Sequence, residues 1–284
     1  MKVLNDIPFL PIQFYKTNTI KTTEFDPEII FESSGTTQSI NSHHFVKKID
    51  IYINSFLKTF ELFYGPVNDW CILALLPAYM ERKNSSLVYM AQYLIDKSEH
   101  PLSNFYLDEH DKLYQTLLHN EILKQPTLLL GVTFGLLDFA ENYQMHLSNT
   151  LIMETGGMKG RREEMTREEV HQILKTRSGL QKIHSEYGMT ELLSQAYSRG
   201  NGLFKCPPWM KVLLREEDDP LVIKKHPQLS KTGTGLINII DLANIYSCAF
   251  IATDDVGKMH HNNSFEVLGR CDNTDIRGCS LLIN

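Results

Sequence analysis

Between Lys47 and Phe63 the apolar side chains Ile49, Ile53, Phe56, Leu57 and Phe60 recur at helical spacing, which predicts an amphipathic helix. Ahead of it, Ile7 to Ile12 is punctuated by prolines and reads as an extended lead-in, followed by a polar loop from Ser33 to Ser42. Trp70 to Leu76 is a short apolar run ended by Pro77, the pattern of a buried strand. A helix is expected from about Ser85 to Asp96, then a strand over Leu128 to Val132, a helix over Phe134 to Tyr143 and a strand over Thr150 to Met153. Thr166-Arg167-Glu168-Glu169 is a capping box opening a helix to about Thr176, and Ile183 to Ser185 is again strand-like. Strands alternating with helices predict an α/β core with a mainly parallel sheet over residues 1–234. From Gly235 the pattern changes. Leu236 to Asp241 and Cys248 to Thr253 read as strands, with turns at Asp254-Asp255 and Asn262-Asn263, giving a β-rich C-terminal part over 235–284.

Composition narrows the class. The 284 residues are 42% hydrophobic and 22% charged, as in an ordered globular protein with a sizeable core. The net charge of -6 argues against a nucleic-acid partner. No apolar run is long enough to span a bilayer, and Met1 to Phe9 does not read as a signal peptide. Five scattered cysteines without a CxxC pair point to reduced thiols in a cytoplasmic setting rather than disulfides or zinc.

Four segments carry candidate chemistry. In Ser33-Ser34-Gly35-Thr36-Thr37, hydroxyls around a glycine let the backbone approach a phosphate, although the same residues also cap helices. Tyr187-Gly188-Met189-Thr190-Glu191 follows a strand. There a ring can stack on a base, a hydroxyl can meet a phosphate and a carboxylate can meet Mg²⁺; the bland alternative is the start of a helix. Thr253-Asp254-Asp255-Val256-Gly257 and Gly269-Arg270-Cys271-Asp272 offer a carboxylate for ribose hydroxyls and an arginine to back it, and each alone also reads as a plain turn. No GxxxxGK[ST] loop and no GxSxG elbow occurs. The adjacent pairs His43-His44 and His260-His261 lack metal-ligand spacing and read as surface polar loops.

The order of these segments resembles the core motifs of the adenylate-forming superfamily. Longer stretches, among them Ile7 to Ile12, Glu154 to Arg162, Ser185 to Tyr197, Cys206 to Met210 and Asp275 to Cys279, resemble the acyl-protein synthetases, including the long-chain-fatty-acid–luciferin-component ligases. The resemblance runs from about Ile7 to Leu282.

It implies an ATP- and Mg²⁺-dependent ligase that converts a carboxylic acid, a fatty acid in the named relatives, to an acyl-adenylate. The acyl group then passes to an enzyme thiol, from which a reductase or other acyl-acceptor protein takes it; association into oligomers is left open. Ser33, Ser34, Gly35, Thr36 and Thr37 would hold phosphates, and Gly156 and Gly157 would line the adenine and acyl pocket. Tyr187, followed by Gly188, would stack on adenine, and Thr190 would contact the α-phosphate. Glu191 would ligate Mg²⁺, Asp255 and Arg270 would bind ribose, and Cys279 would accept the acyl group. With 14 residues after Arg270, the expected architecture is the adenylate-forming core without its C-terminal lid domain, and Lys159, Arg161 or Arg162 could supply the charge that the lid's lysine brings. Diffusible coenzyme A as acceptor, or a non-catalytic nucleotide- or acyl-binding subunit, are the alternatives.

Overall fold

The computed structural model describes residues 7–33, 40–76, 84–156, 165–217, 221–224 and 233–271. In chain order the elements are β1 (Leu10–Pro11), α1 (Phe14–Thr17), β2 (Ile29–Glu32), β3 (His43–Val46), α2 (Ile49–Tyr64), β4 (Cys71–Leu75), α3 (Ser86–Ser98) and β5 (Asn104–Phe105). They continue with α4 (His110–Leu123), β6 (Thr127–Gly131), α5 (Thr133–Asn142), β7 (Thr150–Glu154), α6 (Arg167–Ser178) and β8 (His184–Tyr187). The rest is strand: β9 (Ala196–Ser198), β10 (Phe204–Lys205), β11 (Met210–Arg215), β12 (Gly233–Asp241), β13 (Phe250–Met259) and β14 (Phe265–Arg270).

One 12-stranded sheet organises the chain. Strands β5-β4-β6-β7-β8 run parallel, as the alternation of strand and helix requires. At β8 the sheet switches, and β9, β10, β14, β13, β12 and β11 follow antiparallel. The proline-broken lead-in is β1, paired parallel to β13 at Ile251 and Ala252.

Both faces of the parallel half are covered. All five residues of β4 and all five of β6 are buried, which is why they read as unbroken apolar runs. Alternation sends Ile72, Ala74, Leu128 and Leu130 to the layer of α2 and α3, where Tyr52, Phe56, Phe60, Met90 and Leu94 pack. Cys71, Leu73, Leu75 and Leu129 face the other layer, with Leu113 and Leu117 of α4, Leu137 of α5 and Leu174 of α6. The antiparallel half has its own core around Tyr187, Phe204, Ile237, Ile239, Ile251 and Phe265.

The expected helices form within a few residues of their predicted bounds. Thr166 and Glu169 make the reciprocal capping box at the start of α6, and Gly179 ends it in the left-handed region at φ 75°. Two readings are corrected. Asp254-Asp255 is not a turn: β13 runs unbroken through both, and Asp255 faces Arg270 across the ladder to β14. His43-His44 is not a surface loop: both lie in β3, paired antiparallel with β2, and His44 is fully buried. The Asn262-Asn263 turn is present, with Asn263 at φ 60°. Among the described residues no helix is long and apolar enough to cross a membrane.

Leu73 sits inside the sheet with no exposure. Leu73→Ala should therefore cost about 2–5 kcal/mol, leaving a cavity between sheet and helices. Thr166→Ala, which removes one surface cap, should cost about 1 kcal/mol. Urea unfolding of both variants checks the ranking, and equal losses would contradict the layer assignment.

Candidate functional site

The parallel strands end on one side of the sheet, and the segments leaving β7 and β8 there hold most of the candidate residues that the structure describes. Gly156 follows β7, and Tyr187, Gly188, Thr190 and Glu191 lie at and after the end of β8, whereas Ser33 follows β2, Asp255 lies in β13 and Arg270 ends β14. Ser34, Gly35, Thr36, Thr37, Gly157 and Cys279 lie outside the described residues, as do Lys159, Arg161 and Arg162.

Three separate motifs meet in one hydrogen-bonded chain. Tyr187, the last residue of β8, is buried, with its ring edge-on to Phe204 and Phe265. Its hydroxyl donates to Asp255 Oδ2 at 2.7 Å, and Arg270 Nε donates to Asp255 Oδ1 at 3.2 Å. Cross-strand register makes this possible, because Asp255 and Arg270 are directly paired while Tyr187 reaches them through the core. Burial and the neighbouring carboxylate push the Tyr187 phenol well above its ordinary range, so it stays a donor. The Asp255 carboxylate is thereby fixed on both sides.

Beyond Tyr187 the chain makes the loop 188–195 before returning as β9. Space at Gly188 is tight: a Cβ would displace the carboxylate end of Glu186 and stand 3.3 Å from Gln195 Cγ. The loop's polar groups are held by side chains from elsewhere. His44 Nδ1 donates to the Thr190 carbonyl at 2.7 Å, and Asn244 Nδ2 donates to the Glu191 carbonyl at 2.8 Å. His44 Nε2 lies 2.9 Å from Asn244 Oδ1, a contact satisfied only when that nitrogen also carries a proton; burial lowers the pKa of the ring and opposes this. The Leu193 N–H and the Ser194 hydroxyl both donate to buried Asp241, at 2.8 and 2.5 Å. Glu191 is 6% exposed, and burial raises its pKa, while the Ser42 hydroxyl and the charges of Arg270 and Lys16 pull it back. Ser42 belongs to the β2–β3 hairpin, where its N–H donates to Ser33 Oγ at 2.8 Å. The base of the hydroxyl-rich segment thus lies beside Glu191.

At the end of β7 a second buried carboxylate holds the glycine loop. Glu154 Oε2 accepts from the Gly156 N–H at 2.9 Å and from Thr133 Oγ1 at 3.0 Å, and Gly156 turns at φ 76°. Glu154 Oε1 faces Arg167 Nε at 3.5 Å and His171 Nε2 at 3.7 Å. Burial alone would raise the Glu154 pKa, but His171, Arg167 and the Gly156 N–H together bring it down to about 2. Neighbouring Glu186 has no such partners; burial and the Glu154 charge push it up to about 8. Arg167 also donates to the Val267 carbonyl at 2.8 Å, tying the start of α6 to β14.

Glu154, Arg167, His44, Asn244 and Asp241 were not singled out as site residues from the sequence. Glu154 and Arg167 bracket the glycine loop, so their position was a usable signal. For His44, Asn244 and Asp241 the partners are distant in the chain and no local pattern marks them. Among the described residues no group of three or more His, Cys, Asp or Glu could hold a metal. A magnesium ion carried on phosphates needs only one or two protein carboxylates, and the acid at Glu191 fits that donor set.

No protein-family model matches the chain, and no curated protein matches it in sequence. Its fold does match solved structures. ATP-bound MatB from Rhodopseudomonas palustris aligns with a TM-score of 0.62 at 14% identity, covering 87% of this chain and 49% of that one. The O-succinylbenzoate coenzyme A synthetase MenE from Bacillus subtilis, in complex with ATP and magnesium, aligns at 0.60 and 14%, covering 88% and 51%. The amide bond synthetase McbA from Marinactinospora thermotolerans aligns at 0.53 and 13%, covering 85% and 48%. The chain has the fold of the N-terminal domain of adenylate-forming ligases and spans about half the length of these structures.

The Glu154 geometry has a measurable signature. A carboxylate whose folded pKa is depressed stabilises the protein fully above the ordinary value of 4.5, and that contribution is lost as pH falls towards about 2. The full difference is on the order of 3 kcal/mol. In Glu154→Gln, unfolding free energy should vary less with pH across this window than in the wild-type protein. An unchanged pH profile would show that Glu154 is not held as described.

Proposed function

We propose that this chain activates a carboxylic acid with ATP, giving an acyl-adenylate and pyrophosphate, and passes the acyl group to its own Cys279 as a thioester. The observation that carries the reading is the convergence of Tyr187, Asp255 and Arg270 in one hydrogen-bonded chain beside the loop of Thr190 and Glu191. Those are the residues that the adenylate-forming resemblance assigns to the nucleotide, and MatB and MenE, which share the fold, have been seen with ATP.

In this reading Asp255, braced by Tyr187 and Arg270, accepts from the ribose hydroxyls, and the base stacks at Tyr187. The hydroxyl-rich segment Ser33 to Thr37 cradles the outer phosphates, and the Thr190 hydroxyl donates to the α-phosphate. Glu191 would hold Mg²⁺, which supplies charge neutralisation on the phosphates. Gly156 and Gly157 border the adenine and acyl pocket, with Glu154 fixing the Gly156 amide. A substrate carboxylate oxygen bonds to the α-phosphorus as the bond to the β-phosphate oxygen breaks, and pyrophosphate leaves. The Cys279 thiolate then attacks the acyl carbon, AMP leaves with the bonding pair, and the thiol proton goes to solvent. Cys279 follows Arg270 by nine positions, a reach of about 30 Å at most. The resemblance makes the acid fatty and the final recipient a reductase or another acyl-acceptor protein.

Cys271, in the half-exposed segment after β14, is the chief rival thiol, whereas Cys71 and Cys206 are less suited. Cys71 is fully buried in β4, and burial raises its pKa. Burial pushes Cys206 up to about 12. Both are poor nucleophiles at neutral pH.

Acid-dependent ATP–pyrophosphate exchange tests activation. Thr190→Ala and Glu191→Ala should each lower it about 10²–10³-fold, the usual cost of losing a stabiliser of transition-state charge. Exchange at the wild-type level in both would refute the site. Intact-protein mass spectrometry tests transfer. Wild-type protein with ATP, Mg²⁺ and a fatty acid should gain a hydroxylamine-labile adduct, and Cys279→Ala should lose the adduct while keeping exchange. If acyl-coenzyme A forms and no adduct does, the acceptor is the diffusible thiol.

A further inference from the structure

Resting on the adenylation reading, we propose that His44 is a positioning residue for that reaction, setting the backbone that presents Thr190 and Glu191 and tying it to the hydroxyl-rich hairpin. The imidazole has no exposure and does not merely fill space. Its Nδ1 donates to the carbonyl of Thr190, and its Nε2 faces the Asn244 amide, whose Nδ2 donates to the carbonyl of Glu191. His44 therefore fixes the Thr190 carbonyl directly, and Asn244, packed against the same imidazole, fixes the next carbonyl, so that two consecutive peptide carbonyls are held at the two residues with proposed roles in phosphate and metal binding.

The alternative, a buried histidine satisfied for stability alone, explains less of the arrangement. Loop 188–195 has almost no backbone partners of its own, apart from Leu192 N–H to Met189 O at 3.1 Å. The contacts that shape it come from β3 and from the end of β12 and the segment after it, more than 140 and about 50 residues away in sequence respectively. Two of them start on the same short piece of chain. Ser42, just ahead of β3, reaches the Glu191 carboxyl, and His44, the second residue of β3, reaches the Thr190 carbonyl. The edge of the Tyr15 ring packs on the imidazole at 5.6 Å, and the Tyr15 hydroxyl pairs with Ser247 at 3.0 Å, so the ring has little room to turn.

Position matters here more than mere contact. A displacement of about 1 Å in a catalytic group costs on the order of 10²-fold in rate. Freeing the Thr190 carbonyl lets the hydroxyl and carboxyl of Thr190 and Glu191 drift together. Because the clamp touches main chain and not substrate, its loss should fall on turnover and leave affinity for the acid in place.

The test is a double-mutant cycle in ATP–pyrophosphate exchange on the full chain, with His44→Phe, Thr190→Ala and the pair, accompanied by His44→Gln. His44→Phe should lower kcat on the order of 10²-fold with an unchanged KM for the acid. The double variant should be no worse than Thr190→Ala alone, and His44→Gln, whose amide keeps an N–H donor, should recover part of kcat. Additive losses, or a normal kcat in His44→Phe, would overturn the proposal. Should His44→Phe fail to fold, Asn244→Ala, which frees the Glu191 carbonyl, must show the same turnover loss coupled to Glu191→Ala, and its absence counts against the clamp equally. Amide hydrogen exchange separates this inference from the reading beneath it. His44→Phe should speed exchange in loop 188–195 and spare β4 and β6, whether or not any acid is activated. Wild-type protein that exchanges no pyrophosphate with any acid refutes adenylation, whereas loop exchange unaltered by His44→Phe refutes the clamp.

Discussion

A sheet that changes from parallel to antiparallel at β8 must turn its chain back beside itself, and the loop 188–195 that does so cannot satisfy its own backbone. Buried main-chain groups without partners are too costly to tolerate, so the partners come from other parts of the fold. Asp241 takes the Leu193 N–H, while Asn244 and His44 serve the Glu191 and Thr190 carbonyls. The same requirement draws the β2–β3 hairpin and the end of β12 to the loop that joins the central strands β8 and β9. The candidate chemistry follows from that gathering. Thr190 and Glu191 lie on the loop, Ser33 at the base of the hairpin, and Asp255 and Arg270 on the strands that follow.

Charge placement obeys the same logic. At the ends of β7 and β8 two acids sit on adjacent strands, and the surroundings push them apart. Glu154 has two cationic or potentially cationic partners and an amide N–H, and stays ionised down to about 2; Glu186 lacks them and is pushed up to about 8. One carboxylate can then anchor the Gly156 loop without a second negative charge beside it. Arg215 shows the same economy in the antiparallel half. Though buried, it donates to the carbonyls of Ile237 and Thr253 and to Asn238 Oδ1, bracing β11, β12 and β13 behind Asp255.

Much of this was legible in the residues. The buried runs of β4 and β6, the periodicity of α2 and the capping box of α6 are local signals, and local physics decides them. The four chemical motifs were legible as types and order, and the fold brings Tyr187, Asp255 and Arg270 into contact. What failed was non-local. His43-His44 reads as polar loop because burial of His44 depends on partners some 146 and 200 residues away. Asp254-Asp255 reads as a turn because two acids are rare in a strand interior, and the cross-strand arginine together with the distant Tyr187 hydroxyl makes the second tolerable. Helix α4 escaped notice because its first turns carry His110, Asp111 and Lys112 and bury only a narrow stripe through Leu113 and Leu117.

The central claim is that the Tyr187–Asp255–Arg270 chain forms a nucleotide site, and direct ATP binding tests it without presuming any acid or acceptor. Calorimetric titration of the wild-type protein with Mg·ATP should show saturable binding. Asp255→Ala should weaken it about tenfold or more, the scale of about 1.4 kcal/mol for charge-assisted hydrogen bonds to ribose. Equal ATP affinity in wild type and Asp255→Ala would contradict the account.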